Sequence, residues 1–138
     1  MSQTLFSAVG GEAAMRTLAV HFYDKVFADP SLVRLFARPD EDHAGRLAAW
    51  FTELTGGPTL HSQTRGGFRT MAMSHFGLKI SEAQRRQWIA YMREACVECG
   101  WPAAITDQFV GYLNTHSNFV VRESNTYPKV DLGRHRVL

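Results

Sequence analysis

Cysteine is nearly absent: the 138-residue chain carries only Cys96 and Cys99. That excludes a disulfide framework, and a lone C-x-x-C lacks the second ligand pair of a zinc knuckle. Gly100 stands where covalent c-type haem attachment needs a histidine, and the βαβ setting of a thioredoxin-like redox pair is missing. The expectation is two reduced thiols packed on a helix. No apolar run approaches the roughly eighteen residues of a membrane span, so no transmembrane segment is expected. Met1-Ser2-Gln3-Thr4 has neither the basic nor the apolar region of a signal peptide, which makes the cytoplasm the expected location. No segment sustains the period-two alternation of a strand. Basic excess is confined to one end. The net charge is +2, and residues 125–138 supply it through Lys129, Arg134 and Arg136 against Asp131. The first 124 residues balance, twelve basic against twelve acidic, and offer no basic stripe for nucleic acid.

What the chain does have is helical periodicity, which predicts one all-α domain over 1–124 and a basic, weakly ordered tail over 125–138. A short first helix at Thr4–Ala8 is broken by Gly10-Gly11. A second, over 12–28, buries Met15, Ala19, Phe22 and Val26, with Leu18, Tyr23 and Phe27 beside them. Asp29-Pro30-Ser31 stops it and starts a turn bearing Leu32, Leu35 and Phe36. A third helix, over 40–55, opens on Asp40, Glu41 and Asp42, which suit the positive end of the helix dipole. Its inner stripe is His43, Leu47, Trp50, Phe51 and Leu54. Gly56-Gly57-Pro58 ends it, and a polar loop over 59–67 follows. Ser81-Glu82-Ala83-Gln84 reads as a capping box opening a helix that carries Trp88, Tyr91, Met92, Ala95, Cys96 and Cys99. The last helix, over 102–123, turns Ile105, Phe109, Tyr112, Leu113, His116 and Val120 inward.

Between loop and capping box lies a short helical turn that shares Phe68, Met71 and His75 on one face. So short a helix is marginal in water and makes sense if something beneath anchors it. His75 is then either a tied-up core residue or a metal ligand. A flat apolar cofactor held through its imidazole satisfies the second reading, with the other ring nitrogen donating to Ser74 or to the Met71 carbonyl. Tyr23, Trp88 and His43, each on or beside an apolar stripe, are donors of the kind that stabilise iron-bound O₂. A helical interaction module with core aromatics fits the same periodicity.

Phe6-Ser7-Ala8-Val9-Gly10-Gly11, His21-Phe22-Tyr23, Phe36, Gly56-Gly57-Pro58, Arg65-Gly66, His75 and Ile80-Ser81-Glu82 leading to Trp88 stand in an order that resembles the truncated haemoglobins. The thirteen-residue step from His75 to Trp88 is most similar to group II. The resemblance spans about residues 4–121. It implies a two-over-two helical sandwich around haem b, with His75 as proximal iron ligand and Tyr23, Trp88 and His43 at the distal site. It places Phe36, Leu47, Phe51, Met71 and Ile80 against the haem, and sets Arg65 and Arg69 where basic side chains meet propionates. Three features depart from group II. Phe36 replaces a tyrosine, the loop before His75 is one residue longer than usual, and the distal position falls on His43 or, counting from Phe36, on Ala44.

The implied function is binding of O₂ and other diatomic ligands at the iron. Several hydrogen-bond donors imply slow O₂ release, which favours ligand chemistry or redox detoxification of nitric oxide or peroxide over transport. The alternative is a haem-based sensor or electron-transfer partner, its basic tail docking an acidic reductase or a membrane surface.

Overall fold

The helices begin where side chains can satisfy their first N–H groups. Thr4 Oγ1 accepts from Ser7 N–H at 3.1 Å, Asp29 Oδ1 from Ser31 N–H at 2.9 Å, and Asp42 Oδ1 from Gly45 N–H at 2.9 Å. The Ser81 box closes both ways, with Gln84 N–H on Ser81 Oγ at 3.1 Å and Ser81 N–H on Gln84 Oε1 at 2.8 Å. The computed structural model describes residues 3–36, 38 and 40–130. Among these it forms eight helices: α1 (Leu5–Val9), α2 (Gly11–Phe27), α3 (Pro30–Val33), α4 (His43–Leu54), α5 (Leu60–Arg65), α6 (Gly67–Met73), α7 (Glu82–Glu98) and α8 (Ala103–Thr126). None is long and apolar enough to cross a membrane.

Helix α4 packs on α2, α2 on α7, and α7 on α8, the two-over-two arrangement of two helix pairs. Met15, Leu18, Phe22, Val26, Phe51 and Met92 are sealed between them. Each large side chain so buried contributes about 1.5–3 kcal/mol. The glycine pairs clasp α1 to this core. Phe6 N–H reaches Thr55 O at 3.1 Å, and a Cβ on Gly57 would sit 2.8 Å from the Phe6 ring. Gly56, at φ +101°, has the left-handed backbone that a side chain would strain.

Three boundaries differ from the expectation. α4 starts at His43, not residue 40, because Asp42 is its cap. The stretch 59–67 holds α5, whose polar Leu60–Arg65 turn carries no apolar period to reveal it. α8 continues through Thr126, so the expected tail begins inside the helix; Tyr127 and Lys129 then lie against Phe76 and Gly77 in the turn after His75, and 131–138 lie outside the described residues.

Candidate functional site

Between α2, α3, α4, α6, α7 and α8 the fold leaves a cavity of about 450 Å³. Val26, Leu32, Phe36, Leu47, Phe51 and Val120 give it apolar walls, and Tyr23, His75 and Trp88 add polar atoms. This is the size and lining of a cofactor pocket.

His75 stands in the turn just beyond α6. Its Nδ1 lies 2.7 Å from Met71 O, and Ser74 Oγ, itself donating to that carbonyl at 2.6 Å, is 3.3 Å from the same nitrogen. A carbonyl only accepts, so Nδ1 carries the proton and Nε2 keeps its lone pair. Burial holds the imidazole below its ordinary range, against the raising effect of the Met71 bond, and keeps it neutral. A neutral imidazole with its second nitrogen tied to a carbonyl is the ligating form. Haem therefore fits: an apolar slot, one such imidazole, and hydrogen-bond donors elsewhere on the wall.

Tyr23 is held by aromatic neighbours, Phe22 at 5.1 Å, Phe27 stacked at 5.1 Å and Phe36 edge-on at 5.8 Å. Burial and the Arg46 charge act on its hydroxyl, and no hydrogen bond from the described residues does. Burial pushes the phenol well above its ordinary range, outweighing the opposing charge of Arg46, so the group stays an O–H donor. Trp88 lies on the same wall, its ring edge-on to Phe22 at 4.9 Å.

Of the residues singled out by the sequence, Tyr23, Phe36, Leu47, Phe51, Met71, His75, Ile80 and Trp88 all line this one cavity. His43 shares their stripe and is 1% exposed, but it stands one layer back. Its ring packs on Phe36 at 4.9 Å and lies 6.0 Å from Tyr23, and its Nε2 is 2.6 Å from Arg38 O. Neither His43 nor Ala44 is a lining residue. Arg65 and Arg69 are not on the wall either; Arg65 borders a separate surface hollow beside α2 and α4. The basic side chain that does line the cavity is Arg85, which the sequence did not mark out. It is anchored to Glu82 at 2.6 Å, Asn114 at 2.8 Å and Ser117 at 3.1 Å. Tyr112 and His116, both exposed and with their rings 4.0 Å apart, also line the cavity.

A family model for bacterial-like globins matches residues 4–121. The group 1 truncated hemoglobin of Tetrahymena thermophila is 28% identical over 109 residues, which cover 78% of this chain and 83% of that protein. The thermostable hemoglobin of Thermobifida fusca superposes with a TM-score of 0.76 at 34% identity, covering 86% of this chain and 97% of its own. The group II truncated hemoglobin of Bacillus anthracis shares the fold, at a TM-score of 0.79 and 24% identity over 96% of this chain and 98% of its own.

Proposed function

Since the chain belongs to the bacterial-like globin family, whose cofactor is haem iron, we propose that His75 would ligate that iron and that Tyr23 and Trp88, lining the same cavity, would hydrogen-bond an O₂ or other diatomic ligand bound there. Bound haem supplies the iron at which such ligands coordinate. The residues supply everything else. The Met71 carbonyl fixes the tautomer and direction of the His75 ring. Leu47, Phe36 and Phe51 exclude water from the slot. The Tyr23 hydroxyl and the Trp88 N–H offer protons to a ligand atom that carries partial negative charge.

The observation that carries this reading is His75 itself, a neutral imidazole whose Nδ1 is spent on a carbonyl and whose ring lines an apolar cavity. Phe36, without a hydroxyl, serves as wall only. His43 buttresses Tyr23 and Phe36 and reaches the ligand only by giving up its bond to Arg38 O. Two charge-assisted bonds of about 1.5–3 kcal/mol each slow ligand escape enough to suit reaction at the iron, such as nitric oxide or peroxide consumption, over bulk transport.

Titration of the purified chain with hemin tests the cofactor. One equivalent should bind with a sharp Soret band, and His75→Ala should lose it. Full occupancy with an unchanged spectrum in His75→Ala would refute the assignment. Consumption of nitric oxide by the O₂-bound protein, at a rate set by mixing, tests the reaction class.

A further inference from the structure

The iron ligand proposed above stands beyond the last residue of a seven-residue helix, and so short a helix does not fix its own end. What fixes it comes from the far end of the chain. Ser124 is 0% exposed, two residues before α8 stops. Its carbonyl would ordinarily pair with the N–H of residue 128, but residue 128 is proline and has none. That carbonyl accepts instead from Gly77 N–H at 3.1 Å and Lys79 N–H at 3.2 Å. Ser124 Oγ accepts from Ile80 N–H at 3.1 Å while donating to Val121 O at 2.7 Å. Asn125 Nδ2 donates to Ile80 O at 3.0 Å. The Phe76 and Tyr127 rings meet at 4.9 Å, and a Cβ on Gly77 would lie 2.6 Å from Lys129 N.

Every residue from 76 to 80 except Leu78 is thus held by 124–129, and Leu78 N–H closes back on His75 O at 3.3 Å. The turn also contains a strained backbone, since Lys79 has φ 53°. A non-glycine residue is disfavoured in that left-handed backbone and persists there only under external restraint. A wholly buried serine is itself costly unless its polar atoms are used, and here they are.

From this we infer that Ser124, with Asn125, is a positioning residue for His75: the C-terminal end of α8 latches the turn after the iron ligand and sets how the imidazole is presented to the cavity. The inference rests on His75 being that ligand.

Resonance Raman of the ferrous, ligand-free holoprotein reads this directly through the iron–histidine stretching band. Ser124→Ala removes the acceptor of Ile80 N–H, and Asn125→Leu, at an exposed position, removes the donor to Ile80 O. Each should shift or broaden the band, and the double variant should do so more than either. Val110→Ala, a cavity in the same helix far from the turn, should lower the urea midpoint and leave the band where it was. A wild-type band that stays unmoved in Asn125→Leu and in the double variant overturns the latch alone, as does an equal shift in Val110→Ala. Absence of the band in the wild type overturns the His75 assignment and the latch with it.

Discussion

Replacing Tyr23 with phenylalanine deletes one hydroxyl and almost no volume, so its effect separates ligand binding from folding. The ring keeps its packing against Phe22, Phe27 and Phe36. The hydroxyl has no protein partner among the described residues to leave stranded, so the cofactor-free fold should change by about 1 kcal/mol or less. With haem and O₂ bound, the same hydroxyl faces a charged acceptor in a low-dielectric slot, where one bond is worth about 1.5–3 kcal/mol. Dissociation should then quicken roughly 10- to 150-fold, since each 1.4 kcal/mol is tenfold. Burial holds the phenol far above its ordinary range, so the wild-type off-rate should not titrate with the tyrosine between about pH 6 and 9. Stopped-flow displacement of O₂ by carbon monoxide gives the rate, and urea unfolding of the apoprotein gives the stability. An off-rate within about twofold of wild type, with the fold intact, would mean that the phenol does not touch the ligand.

Other perturbations read other parts of the molecule. His61 is fully buried with neither ring nitrogen hydrogen-bonded, and burial lowers its pKa despite the nearby Glu53 charge. The unfolded chain therefore takes up its proton first, and stability should fall as pH drops below about 6.5; His61→Leu should flatten that slope in urea midpoints, and an identical slope would refute it. Ser81→Ala breaks the capping box and should cost about 0.5–2 kcal/mol by the same measurement. Gly57→Ala drives a Cβ into the Phe6 ring and should cost about 1–3 kcal/mol, most of it recovered by pairing it with Phe6→Leu. Burial pushes the Cys96 thiol up to about 12 and raises Cys99 as well. At about pH 8 a thiol reagent should label Cys99 slowly and Cys96 only on unfolding, counted by intact mass.

The long helices were legible because each has a long apolar period or a side-chain cap. Ser81 and Gln84 form the expected box, and Met15, Ala19, Phe22 and Val26 are all fully buried. Helix α5 was not, since its buried face amounts to one histidine. At the site, periodicity correctly put His43 and Leu47 on one stripe, yet it cannot tell a cavity wall from the layer behind it. Only the fold shows Leu47 in front and His43 against Phe36. Arg85 escaped notice for a related reason. Beside Glu82 and Arg86 it reads as part of a solvated face, whereas Asn114 and Ser117, some thirty residues on, draw it over the cavity. The latch at Ser124 was equally hidden, because its partners are distant backbone groups that no local pattern records.

Gln84 shows how narrow a choice can be at a position where two residues usually interchange. At the third residue of a helix, glutamate and glutamine cap equally well, because only an oxygen is needed. Here the amide's other end donates to Ser31 O at 2.8 Å, and Tyr91, two turns further along α7, donates to Asp29 Oδ2 at 2.7 Å. The α3 corner and the helix bearing Trp88 are thereby riveted into one plate. A carboxylate at 84 would keep the cap and turn the rivet into a repulsion. Leu32 and Leu35 would then drift relative to Trp88, and the cavity would lose its shape through the exchange of one amide for a carboxylate on its own wall.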